Sequence, residues 1–545
     1  MMSARRTTLA ILAAVGLLTV LTGPAGTSAT GAPGQRAAAY ATIEGKGSTW
    51  SKLMVDKWIG DVDSKGMKVV YSGVGSSAGR KAFADGTVDY AISEIPYQGT
   101  DEQSGQADKS DRPYAYLPIV AGGTSFTYQL KIGNQQVRNL RLSGETIAKI
   151  FTNQITNWSD AAISKDNNGR KFPSLPITPV VRSDGSGTTA QFTRWLDAEY
   201  PSIWRPYFGR SGLTSYFPKK GNQTAQAGSD QVMNTIKGFA GNGTIGYVEY
   251  AYPKNASYPV VKVLNKGGYF VEPTTYNVAV ALTKATIDKK TLTQQLDGVY
   301  RNADPRAYPL SSYSYMIIPT GASDPRMTTS KRQTLADFLY HSLCQGQGDA
   351  GDYGYSPLTL NLVSAGFDQV KKLKAADSGV VLTNRDVKSC NNPTFDGKNL
   401  AHNVLTDKAP QPAACDKVGQ GPCTTGTGTG APSTDGKGGS GAAGGSTGGG
   451  TTGSGTGGAS GTGGTDGTAA GGAPIIDPET GEVVAASGGG ATGEPAYANP
   501  LLVSDRPADS RTFGWLAVIE LIALVVLPGL FVSVLRRRRA AGAGR

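Results

Sequence analysis

The chain has 545 residues, of which 39% are hydrophobic and 74 are glycine, and its formal charge is +11. That length accommodates two or three domains with a sizeable buried core. Seven of the positive charges are arginines at the two ends (Arg5, Arg6, Arg536, Arg537, Arg538, Arg539 and Arg545), leaving a surplus of four between them. So small a surplus, with no basic stripe interleaved with aromatics, argues against nucleic acid as a partner.

At the N-terminus, Arg5 and Arg6 precede an apolar run at residues 9–21 (LAILAAVGLLTVL) and a stretch of small residues. This predicts an export signal over residues 1–41, cleaved between Ala29 and Ala41, in a run too short to cross a bilayer. No cysteine follows the run, so lipid attachment at the mature N-terminus is not expected.

Between Ile43 and Asn399 apolar, β-branched runs alternate with amphipathic stretches, which predicts an α/β fold. The turn GKGSTW at 45–50 leads into a helix at 52–59. Residues 67–71 (MKVVY) read as a strand, GVGSSAG at 73–79 as a turn opening a helix over 76–86, and residues 88–93 (VDYAIS) as the next strand. Farther on, a strand at 179–182 (PVVR) runs into SDGSGTT and a helix at 190–200; residues 244–250 (TIGYVEY) and 313–319 (YSYMIIP) read as further strands. Each Gly/Ser/Thr turn stands at a helix start, where backbone N–H groups lack helical partners and carry partial positive charge. Three such turns converging, with Arg182 beside the third, would form an anion site. Singly, each is an ordinary N-cap, and the spacing does not fit a nucleotide P-loop.

Cys344, Cys390, Cys415 and Cys423 are expected to form disulfides in an exported chain, since no metal-ligand spacing exists. Three pairings are open; Cys344–Cys390 with Cys415–Cys423 is favoured, because the second pair closes a short Gly/Pro loop at the domain edge. The composition turns to Gly, Thr, Ser and Ala near Thr424, which predicts a disordered linker over 424–510 with a reach of about 50 Å. Residues 513–535 are mostly apolar and end on four arginines, predicting a transmembrane helix over 511–535 and a cytoplasmic basic tail at 536–545. Glu520 falls inside that span.

Taken together, GKGSTW, YSGVGSSAG, VDYAISEIP, VVRSDGSGTTAQFTRWL, GTIGYVEYAY and AYPLSSYSYMI resemble the substrate-binding protein of the phosphate-specific ABC transporter, across residues 43–395. CNNPTF and GYSPL are similar to its actinobacterial branch in particular. The resemblance implies a two-lobed type II periplasmic-binding-protein fold with two crossing hinge segments. One lobe would be 42–121 plus 310–395, the other 122–309, followed by a disulfide-bearing extension at 396–423.

The resemblance further implies phosphate contacts at Thr49, Trp50, Ser76, Arg182, Ser186, Gly187 and Thr188, with Glu94 as an acceptor and Ser48, Ser77 and Asp184 in support. Trp50 stands where the family usually has Phe, and Glu94 where it usually has Asp. A carboxylate there accepts a hydrogen bond from phosphate, which keeps a proton near neutral pH, and repels sulfate, which keeps none. The implied partners are inorganic phosphate, ABC permease subunits and the membrane, with no cofactor, no catalysis, and a monomer outside the plasma membrane. A sensor or surface scavenger is the alternative. A serine hydrolase is a third reading, because Gly75 to Gly79 fits G-x-S-x-G with Ser77 as nucleophile. It would need His341 or His402 as base.

Overall fold

The computed structural model describes residues 40–382 and 386–424. The expected export signal, linker, transmembrane helix and basic tail lie outside the described residues. Among the described residues, no helix is long and apolar enough to cross a membrane.

One eight-stranded sheet organises the fold. Its strands are β1 (Ile43–Gly47), β2 (Val69–Gly73), β3 (Tyr90–Ser93), β4 (Tyr114–Tyr128), β5 (Thr178–Arg182), β6 (Thr224–Gln226), β7 (Thr244–Glu249) and β8 (Ser311–Pro319), in the order β6-β5-β7-β4-β8-β3-β1-β2. The outer trios are parallel: β2-β1-β3 on one side and β6-β5-β7 on the other. Between them β4 and β8 run antiparallel to each other and to their neighbours. Each trio with its helices is one lobe of a two-lobed fold, and β4 and β8 are shared by both.

Sequence chemistry accounts for this division. Parallel strands are covered by helices on their faces and read as short apolar runs. β1, β2 and β3 alternate with α1 (Lys52–Asp63) and α2 (Ser76–Ala84), whereas β5 leads into α3 (Gly187–Glu199) and β6 into α4 (Gly228–Lys237). β4, which the turn-based reading did not identify, is fifteen residues long and buried along nearly all of it. At its middle lie Gly122 and Gly123. A Cβ on Gly122 would come within 2.7 Å of the Trp50 ring, so the strand passes the turn after β1 at a distance only glycine permits.

Most sequence-predicted elements are present within a few residues. α3 starts at Gly187 instead of 190, because Ser186 caps it by accepting a bond from the Thr189 N–H at 3.2 Å. That places Gly187 and Thr188 in its first turn. The disulfides are Cys344–Cys390 and Cys415–Cys423, the favoured pairing. The first ties the C-terminal end of α5 (Thr329–Leu343) to the segment following α6 (Leu360–Ala376). The extension beyond Cys390 then crosses to the other lobe, where Lys262 and Asp416 form a buried ion pair at 2.7 Å.

Candidate anion-binding site

Every turn singled out in the sequence sits at the C-terminal end of a parallel strand, where α/β sheets place their ligands. The turn after β1 carries Ser48, Thr49 and Trp50, β2 leads to Ser76, β3 ends next to Glu94, and β5 ends on Arg182. The first three belong to one trio and the fourth to the other, and all these side chains are 2% exposed or less.

The two sides meet directly. The Gly187 N–H donates to Ser76 Oγ at 3.1 Å, and the Ser77 N–H to the Gly185 carbonyl at 3.0 Å. Thr49 Oγ1 and Ser229 Oγ lie 3.0 Å apart, and the Ser229 N–H donates to Thr49 Oγ1 at 3.1 Å. Tyr252 OH reaches the Thr49 carbonyl at 2.5 Å. A Cβ on Gly187 would stand 2.1 Å from Glu94 Oε2, so only glycine lets the α3 turn come this close. The cleft is shut.

Charge is arranged around Arg182 and Glu94. The Arg182 fork grips Asp184, with Nε at 2.7 Å and Nη2 at 2.5 Å, and Asp184 also accepts the Gly228 N–H at 3.0 Å. Nη1 is left facing the hydroxyls of Ser229 and Thr188, at 3.4 and 3.5 Å, distances too long for strong bonds. Burial acts to lower the Arg182 pKa, but the Asp184 carboxylate outweighs it and holds the guanidinium above its ordinary value. Burial likewise acts to raise Asp184, and the guanidinium pulls it below the usual carboxylate range. Glu94 is different. Burial pushes its carboxyl up, against hydroxyl donors from Ser48, Ser314 and Ser76.

The geometry thus brings Thr49, Ser76, Glu94, Arg182, Gly187 and Thr188 into one contiguous network, with Asp184 fixing Arg182 and Ser186 capping α3. Trp50 departs from expectation in part. Its N–H turns to Ser48 Oγ at 2.9 Å, and its indole donates to Thr124 Oγ1 at 3.3 Å beside the crossing strand. Ser77 packs against Gly185 of the third turn, and its Oγ lies 3.4 Å from Arg80 Nη2. Neither histidine accompanies it: His341 lies 3.2 Å from Asp61, and His402 2.7 Å from Asp407. The sequence reading missed Ser229, Ser314, Tyr252 and Gln191, whose amide donates to the Glu94 carbonyl at 2.7 Å. A fourth helix start, Gly228-Ser229-Asp230, carried a signal for Ser229. The other three had none.

Chemically, the network offers a cation edge, several hydroxyls and the N–H groups in the first turns of α2 and α3, all donors, facing one carboxylate acceptor. Such a set suits an oxyanion that also has a proton to give. The fold and this cluster define a two-lobed solute-binding protein. The PBP superfamily domain matches residues 32–345, and the chain belongs to that superfamily and, within it, to the PstS phosphate-binding proteins. The PstS of Methanocaldococcus jannaschii is 30% identical over 348 residues, 61% of this chain and 86% of that one. PstS3 of Mycobacterium bovis is 29% identical over 322 residues, 58% and 82% of the two chains. A solved phosphate-binding protein from Stenotrophomonas maltophilia is 20% identical, covering 66% of this chain and 98% of its own, with a TM-score of 0.46.

Proposed function

We propose that this protein captures inorganic phosphate outside the cell and delivers it to an ABC permease. The observation that carries the reading is the convergence of donors from both lobes on one buried point that also holds a carboxylate. Thr49, Ser76, Arg182, Ser186, Gly187 and Thr188 supply the donors, with Trp50, Ser48, Ser77 and Asp184 shaping the turns around them. Glu94 supplies the acceptor. The names of the relatives point to the same ligand. Two lobes, 42–121 with 310–395 and 122–309, close on the anion because contacts from both sides are available only when it lies between them.

The route to the membrane rests on sequence alone. The expected export signal, the Gly/Thr/Ser-rich stretch at 424–510 and the expected apolar span at 511–535 followed by arginines would together give a receptor held outside the plasma membrane, within reach of its permease. Equilibrium dialysis of the full chain against radiolabelled phosphate, with sulfate in excess, tests the binding. Retained phosphate supports the reading, and phosphate washed out by sulfate contradicts it. Deleting residues 511–545 tests the tether: the protein should move from the membrane fraction to the medium.

A further inference from the structure

β8 is one of the two strands shared by the lobes, and its register against β4 shifts between Ser314 and Tyr315. Such a bulge re-aims the side chains beside it. Ser314 is fully buried, and its Oγ donates to Glu94 Oε1 at 2.8 Å and lies 3.2 Å from the Ser51 hydroxyl. The other carboxylate oxygen faces the cleft. Oε2 accepts the Ser76 hydroxyl at 2.9 Å, and the same Ser76 oxygen receives the Gly187 N–H from the opposite lobe.

We propose that Ser314 is a specificity-determining positioning residue. From its bulge it holds Glu94 Oε1 and leaves Oε2 as the acceptor offered to a bound anion, so the site takes an oxyanion that still carries a proton and refuses one that does not. This rests on the phosphate reading above. Glutamate is a methylene longer than aspartate, with one more rotatable bond, and a free head could swing away from the cleft or turn its second oxygen into it. A hydroxyl anchored in a sheet strand removes that freedom.

Charge points the same way. Burial favours the neutral carboxyl, and the hydroxyls of Ser48, Ser314 and Ser76 are what oppose it. The titratable groups that feel the Glu94 charge are Tyr71 of β2, Tyr315 of β8 and Tyr355, which burial and that charge push up, so they face it as neutral phenols. The guanidinium of Arg182 is engaged by Asp184. Without the Ser314 donor the carboxyl keeps its proton to higher pH, and a protonated carboxyl donates to a fully ionised anion instead of repelling it.

The test is calorimetry on the full chain, wild type against Ser314→Ala and Ser314→Thr, with inorganic phosphate and with sulfate across mildly acidic to mildly alkaline pH. In Ser314→Ala the preference for phosphate over sulfate should fall about tenfold, the value of one hydrogen bond to a charged group. The pH at which phosphate affinity changes should move upward. Ser314→Thr, which keeps the hydroxyl, should restore both. Wild-type selectivity and an unmoved pH profile in Ser314→Ala overturn the proposal, as does an equal loss of affinity for both anions. If Ser314→Ala does not fold, Ser314→Cys is read by the same criteria, since it keeps the volume and weakens the donor. A wild type that binds no phosphate at all indicts the functional reading and not Ser314.

Discussion

Arg182 owes its place to a short motif whose parts do separate jobs. Asp184 locks its fork, Gly185 and Gly187 let the opposite lobe approach, and Ser186 caps the helix that carries Thr188. Removing the fully buried guanidinium leaves the half-buried Asp184 with only the Gly228 N–H, and breaking such a pair costs up to about 3–5 kcal/mol. Arg182→Ala should therefore bind phosphate weaker by at least two orders of magnitude in calorimetry; affinity near that of the wild type would refute its role. The turn and its arginine were legible, because glycines and an arginine in fixed order advertise them, but the Ser186 cap was not, and the helix starts three residues earlier than expected. Ser314 was not. It lies inside an apolar strand, and only the bulge, a property of how β8 meets β4, aims it at the cleft.

A second buried carboxyl invites a pH experiment. Glu249 closes β7, is fully buried, and accepts the Ala251 N–H at 2.5 Å with Oε2, with the Tyr355 hydroxyl also against the carboxyl. Burial holds its pKa well above the ordinary carboxylate range. A group raised on folding favours the native state fully below its unfolded pKa, and that contribution is lost as pH climbs through the folded value. Denaturant unfolding of the wild type should show this contribution declining as pH rises above the ordinary carboxylate range, and Glu249→Gln should flatten the decline. Parallel curves for the two proteins would count against a protonated Glu249.

At the scale of elements, closure involves more than the binding turns. A hairpin with strands Gly99–Thr100 and Ala107–Asp108 projects from the first lobe over the mouth of the cleft. Tyr216 OH of the second lobe donates to Asp101 Oδ2 at 2.8 Å, and Arg210 pairs with Glu102 at 3.1 Å. The hairpin is anchored by a buried bidentate pair between Asp108 and Arg80 of α2, the helix whose first residue is Ser76. Latch and binding turn are thus mounted on one helix. Tyr216→Phe should speed phosphate release about fivefold, for a loss of about 1 kcal/mol, in stopped-flow displacement. The association rate should hardly change. An unaltered release rate would make the contact incidental. The helices and short strands flanking glycine turns were readable in advance, whereas β4 was not. Its near-continuous burial follows from being covered in both lobes, so it lacks the alternation and the turn signals that mark a strand from sequence.

Across the whole molecule, two crossing strands and the C-terminal extension tie the lobes together. The extension is fixed to one lobe by Cys344–Cys390. On the other it is fixed by the Lys262–Asp416 pair, and there Arg141 Nη1 bonds the Cys415 carbonyl at 2.9 Å. Both cystines were readable in the favoured pairing, but the extension's contacts across the hinge, Lys262–Asp416 and Arg141–Cys415, were not, since they join segments far apart in sequence and depend on the finished fold. Replacing Cys344 and Cys390 by serine reopens a loop spanning 46 positions in the unfolded chain. It should lower unfolding free energy by about 3–4 kcal/mol in denaturant titrations. A smaller change would place the constraint in the buried contacts of the extension.

In this reading a shut, donor-lined cleft containing a carboxylate recognises an anion by the proton it brings. Isothermal titration of the full chain at neutral pH, phosphate beside sulfate, addresses this most directly. Saturating one-to-one heat is expected with phosphate, and only weak heat, far from saturation at the same concentrations, with sulfate. Comparable heats for both anions, or silence with phosphate, would contradict it.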